Sequence, residues 1–149
     1  MRKPAKSLTL LSVLVRLENG KPLITEGNPM PMCEDWDGDG LLDLMVNTIV
    51  GDVVWFRNVG TRTKPELSSA ADVEVEWDGR QPSLGYGWYR PHHKANPKGL
   101  LTQWRTTPVM FDWNGDGRLE LLVGAEDGYF YYLCNLSFSG TSGASQDFL

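Results

Sequence analysis

The chain has 149 residues, enough for one domain with a real core, and 41% hydrophobic and 22% charged residues exclude a disordered class. A net charge of -5 argues against nucleic-acid binding, and no apolar run reaches the length of a membrane-spanning helix. Gly 16, Pro 9 and Trp 6 favour a turn-rich, aromatic-rich, all-β fold.

In chain order, Arg2, Lys3 and Lys6 precede the apolar stretch Leu8–Val15, as in a signal peptide, but no small-residue cleavage site follows. The expected element is a strand that turns at Asn19-Gly20, a hairpin dipeptide, and returns through Lys21–Ile24. The segment Pro31–Asn58 then repeats, without a gap, as Pro108–Asn135. Pro31, Asp35, Trp36, Gly38, Asp39, Gly40, Leu42, Leu44, Val46, Gly51 and Asn58 all recur unchanged in the second copy, which points to a duplication. Each copy runs from a proline into an acidic loop, a short apolar run (Leu44–Val46; Leu121–Val123), a glycine turn, and an aromatic or β-branched run (Val53–Phe56; Tyr129–Leu133). These runs are too brief and too glycine-punctuated for helices and are expected as strands. Between the copies Val73, Val75 and Trp77 alternate with acids, the pattern of a half-buried strand ended by Asp78-Gly79. Residues 81–107 read as a long irregular insertion and 137–149 as a flexible Ser/Gly-rich tail, leaving 1–136 as the folded unit.

The loops carry the chemistry. Asp35, Asp37, Asp39 and Asp43 fill positions 1, 3, 5 and 9 of the first, with Gly40 at position 6. Asp112, Asn114, Asp116 and Glu120 fill the same positions of the second, with Gly117 at position 6. Four carboxylates so close repel one another unless a cation joins them. Calcium takes roughly six to eight oxygen ligands, and alternate side chains of a curled loop converge on one ion. The glycine permits the sharp turn, and the next residue, Leu41 or Arg118, offers its carbonyl, so that those two side chains do not matter for ligation. Two calcium sites are therefore expected, and two divalent ions would bring the formal charge from -5 to -1. By ligand charge the first site is the tighter, and the longer Glu120 alters the second. A solvated acidic turn is the plain alternative for one loop, and the duplication weakens it. An EF-hand is excluded, because its bidentate acid at position 12 is replaced by Val46 or Val123.

A second polar cluster, Trp88, Tyr89, Arg90, His92 and His93, followed by Trp104, is a candidate surface for a glycan or an anion. An ordinary exposed basic loop is the plainer reading. No nucleophilic triad, phosphate loop or zinc spacing is present, so no catalytic residue is assigned. Cys33 and Cys134 can form one bridge or none.

The stretches DWDGDGLLDLMV and DWNGDGRLELLVG, each followed by a glycine and an aromatic strand, resemble the FG-GAP or VCBS-type calcium-loop repeat of integrin-α-like β-propellers. The resemblance covers the two repeated segments; the rest of the chain matches only in general character. It implies a partial propeller of two to three blades, with calcium held by Asp35, Asp37, Asp39, Asp43, Asp112, Asn114, Asp116 and Glu120. Complete propellers have roughly four to eight blades, so further blades from a longer parent chain, or self-association, are implied. The expected role is a non-enzymatic secreted, periplasmic or cell-surface module contacting a protein or a glycan. The alternative is part of a polysaccharide-lyase-like enzyme, with Arg90, His92 and His93 as the residues to test.

Overall fold

In a computed structural model, the described residues are 14–25, 27, 29–48, 51, 53–76, 98–100, 107–124 and 128–135. Among them the fold is all-β, without a helix. The first sheet is an antiparallel meander of β1 (Met30–Glu34), β2 (Asp43–Asn47), β3 (Val53–Phe56) and β4 (Ala71–Asp72). The second joins β5 (Val109–Phe111), β6 (Glu120–Gly124) and β7 (Phe130–Leu133). No helix among the described residues is long and apolar enough to cross a membrane.

The sequence repeat is a repeat of register. Met32 faces Met45 and Leu44 faces Phe56 in the first sheet. Their repeat counterparts pair in the same way in the second, Val109 with Leu122 and Leu121 with Leu133. Side chains alternate across a strand, so equal register puts equivalent residues on equivalent faces. Left-handed glycines recur at equivalent positions, including Gly40 (φ 86°) and Gly117 (φ 85°) inside the acidic loops. A side chain at those positions is strained whatever the space around it.

The main core lies between the sheets. Met45 and Val53 pack with Met110, Leu121, Val123 and Leu100, and Met32, Trp36, Trp55, Val73, Val75, Tyr131 and Leu133 close around them. A smaller cluster of Val46, Phe56 and Leu67 covers the far side of the first sheet, completed by Leu17, Leu23, Leu44 and Val54. Leu17 and Leu23 flank the expected turn at Asn19-Gly20, which forms, though its arms meet through an isolated bridge instead of regular strands and residues 8–13 of the expected first strand lie outside the described residues. Gly20 adopts φ 78°, Arg16 bridges Pro22, and the Lys21 N–H donates to Asn19 Oδ1 at 3.0 Å.

The alternating segment after β4 continues as extended chain. The Val73 N–H donates to the Val53 carbonyl, and the Leu100 N–H donates to the Val73 carbonyl. Glu74 bridges Gly99. The regular strand, Ala71–Asp72, ends before the alternating residues begin, so the strand expected over Val73–Trp77 does not form among the described residues beyond the single bridge at Glu74. Trp77 and Asp78-Gly79, the tail 137–149, and the insertion 81–107 apart from Lys98–Leu100 and Thr107 lie outside the described residues.

Leu121 is 1% exposed at the centre of this core. Leu121→Ala is expected to destabilise by about 2–5 kcal/mol, through lost burial and the cavity left behind. Ile24→Ala, at an exposed site, is expected to change stability by less than about 0.5 kcal/mol. Urea unfolding midpoints of the two variants check the contrast.

Candidate metal centre

Each acidic loop connects the first and second strands of its sheet, so both ends are fixed by the strand pairing. Within the loops the same hydrogen bonds recur. The Gly40 N–H donates to Asp35 Oδ2 and the Gly117 N–H to Asp112 Oδ2, both at 2.9 Å. The position-5 N–H groups of Asp39 and Asp116 donate to Asp37 Oδ1 (3.2 Å) and Asn114 Oδ1 (2.8 Å). The Leu41 and Arg118 N–H groups donate to Asp39 Oδ1 and Asp116 Oδ1, both at 2.9 Å. The first aspartate thus curls the chain around its own carboxylate, and the next two acceptors face inward on alternate residues.

This curling gathers carboxylates. One oxygen from each of Asp35, Asp37 and Asp39 lies within 4.8 Å of the others, and so does one from each of Asp112, Asp116 and Glu120. The loops differ at position 9. Glu120 joins its cluster, and its Oε2 also accepts the Trp113 N–H at 2.7 Å. Asp43, one methylene shorter, stands outside the three-carboxylate group; its Oδ1 accepts the Asn58 N–H at 2.7 Å. Both acids are buried, at 2% exposure each.

The first loop has unfilled acceptors. Asp35 Oδ1 and Asp43 Oδ2 are buried carboxylate oxygens with no hydrogen-bond partner. Burial pushes the Asp43 carboxyl above its ordinary value, while the Asn58 N–H and the Trp55 indole pull it part of the way back. The indole does not complete a hydrogen bond, since Trp55 Nε1 is also buried and unpartnered. A buried anion in this state is costly unless something positive reaches it. An oxygen-ligated divalent cation fits such a donor set, which is hard, anionic and under-satisfied.

Two arginines already serve the loops, from different positions. Arg57 pairs with Asp37 (2.5 Å) and Asp39 (3.0 Å) across the first. In the second copy position 57 corresponds to Cys134, and the arginine comes from loop position 7, where Arg118 pairs with Asp116. Leu41 and Arg57 in one unit are thus matched by Arg118 and Cys134 in the other. The side chain of Arg118 thus engages its loop through Asp116, a contact separate from the carbonyl expected of it in ligation. The side-chain hydrogen bond from Arg118, foremost, holds the Asp116 carboxyl down at about 2. The Asp116 contribution to stability is present above its ordinary pKa and lost as pH falls from there towards 2. The pair is solvent-exposed, so the effect is small.

Sequence reasoning also passed over Asn58 and Asn135, an identical pair in the repeat. The Asn58 side chain donates to the Leu42 carbonyl (3.1 Å) and accepts from Gly60 and Glu66. Asn135 Nδ2 donates to the Trp36 carbonyl in the first loop at 3.4 Å. Their identity across the copies was the available signal. Cys33 and Cys134 are both free and exposed. Trp88, Tyr89, Arg90, His92, His93 and Trp104 lie outside the described residues. Compared with known proteins, the chain matches no family model, no curated protein and no solved structure.

Because Asp43 is raised, its ionised form weighs against folding above the ordinary carboxylate pKa, and the penalty disappears on acidification. Asp43→Asn keeps the acceptor for the Asn58 N–H and removes the charge. In chelator at neutral pH this variant is expected to melt at or above the temperature of the parent chain. A lower melting temperature by calorimetry would contradict the cost assigned to this carboxylate.

Proposed function

We propose that the chain is a calcium-stabilised repeat module of the β-propeller type, a unit of a larger secreted, periplasmic or surface protein that contacts a protein or a glycan. The observation that carries this reading is the pair of acidic loops: equal spacing, three internal hydrogen bonds in common and equal strand register, each gathering three carboxylates within 4.8 Å. The resemblance of DWDGDGLLDLMV and DWNGDGRLELLVG to FG-GAP or VCBS-type loops supports it from the sequence side. Asp35, Asp37 and Asp39, with Asp43 and the Leu41 carbonyl, would hold one ion. Asp112, Asn114, Asp116 and Glu120, with the Arg118 carbonyl, would hold the other. The ion's contribution is structural: it neutralises the loop and fixes the bend between two paired strands. Extracellular and periplasmic settings, where calcium is abundant, suit such sites.

Magnitudes favour the ion over the arginines. An exposed Arg–carboxylate pair contributes about 0–1 kcal/mol. An ion bound only by the folded state contributes about 2.7 kcal/mol at one hundred times its dissociation constant. Calcium therefore displaces Arg57 and Arg118 at modest cost.

Millimolar calcium is expected to raise the melting temperature by about 5–10 °C for one saturated site in a chain of this size, and chelator to reverse it. Isothermal titration is expected to give two sites, and Asp39→Ala to remove most of the first site's share. A melting curve indifferent to calcium and chelator, with no binding heat, would sink the proposal. Arg57→Gln frees two carboxylates and is expected to tighten the first site by up to about fivefold, the equivalent of about 1 kcal/mol, in the same titration.

A further inference from the structure

Two asparagines close the first acidic loop from opposite sides. A tightly curled loop cannot use all of its peptide groups internally, and those that are buried need partners from elsewhere. At the far end the Asn58 amide donates to the Leu42 carbonyl at 3.1 Å, and at the near end the Asn135 amide donates to the Trp36 carbonyl at 3.4 Å. Both asparagines are buried. They occupy the same position in the repeat, yet they come from different units. Asn58 follows β3 in the first sheet, whereas Asn135 follows β7 in the second and lies 99 residues from Trp36.

Trp36 is the residue through which the second unit reaches the loop. Its carbonyl belongs to the peptide that joins it to Asp37, so holding that oxygen fixes the rotation at which Asp37 enters the carboxylate cluster. Its N–H is among the donors that serve the Asp43 carboxylate, as the Trp113 N–H serves Glu120 in the other loop. Its ring packs against the shared core, which includes Met110, Leu121 and Val123 of the second sheet. The equivalent Trp113 is flanked instead by Phe111 and Tyr132 of its own sheet, with ring centroids at 4.9 and 6.0 Å. The first loop thus leans on the other unit, while the tryptophan of the second loop leans on its own.

We propose that Asn135 is a positioning residue for the first acidic loop. By holding the Trp36 carbonyl from the second unit it fixes the entry of the loop, so that the first cation site reaches its full affinity when the two units are packed together. The inference deepens the calcium reading of that loop and rests on it. A coupling of this kind is a binding free energy and is therefore reciprocal. An ion that tightens the first loop strengthens the hold of Trp36 on the second unit by the same factor. The second site, whose tryptophan is flanked by rings of its own sheet, does not share the dependence on this contact.

The test reads the two sites separately in the full chain. Asp116→Ala leaves the first site to be titrated alone, and Asp39→Ala leaves the second. Calcium chloride is titrated calorimetrically into each of these chains with and without Asn135→Ala. The first site is expected to weaken about three- to tenfold, as for one lost hydrogen bond, and the second to change by less than about twofold. Equal weakening of both sites would give Asn135 a general structural role and overturn the proposal, as would a first site that keeps its affinity. A second readout needs no ion. In chelator, the solvent-exchange rate of the Gly40 amide, which donates to Asp35, is expected by NMR to rise on Asn135→Ala, while that of the Gly117 amide stays as it was. If neither loop of the parent chain binds calcium, the calcium reading falls and this contrast alone decides the positioning role; a Gly40 rate unchanged by the substitution, or a rise shared by Gly117, then overturns it. Should near-ultraviolet circular dichroism find Asn135→Ala unfolded, Asn135→Ser removes the reach to Trp36 with a polar group kept at the position, and the same outcomes apply.

Discussion

Everything in the site depends on one hydrogen bond made twice: the N–H of a left-handed glycine donating to the carboxylate five residues earlier. Asp35 with Gly40, and Asp112 with Gly117, curl their loops tightly enough to bring alternate side chains inward. The curl also fixes how the flanking strands meet, Glu34 opposite Asp43 and Phe111 opposite Glu120. It therefore links an acidic cluster, which is unstable by itself, to a strand register that the core needs. Electrostatic strain in the loop and packing between the sheets are consequences of the same bend.

That coupling explains why the buried acids sit where they do. Asp43 and Glu120 are the first residues of β2 and β6, so the sheet buries them whatever their charge state. Glu120 is long enough to reach back to its cluster and to the Trp113 N–H. Asp43 reaches Asn58 instead and keeps a bare oxygen. The exchange of arginine between positions 57 and 118 fits the same logic. Each loop holds one guanidinium, drawn from whichever neighbouring position supplies it, so a positive group is kept near the carboxylates although the residue carrying it is not.

The acidic loops and the strands that follow them were legible in the sequence because they are local, whereas β1 and β5, which lead into the loops, were not read as strands. Alternation, turn glycines and the repeat located Val53–Phe56 to the residue and the second-copy strand to within one position. The Asn19-Gly20 turn was equally plain. What the sequence hid was tertiary. Arg57 lies 18 residues from the aspartate it grips, and nothing in its own neighbourhood announces that contact. The alternation of Val73 and Val75 placed a strand just past the real one, because alternation reports burial: these residues are packed against the core as extended chain, while the ladder lies at Ala71–Asp72. Which face of each sheet met which could not be read from either copy alone, since both faces are apolar in both.

The meander order of the strands has a kinetic consequence. Neighbours in the first sheet, and in the second, are neighbours in sequence, so most ladders close short loops, the longer connection 57–70 between β3 and β4 excepted. Such pairings carry a low loop-closure entropy and form early, whereas contacts between units far apart along the chain come late.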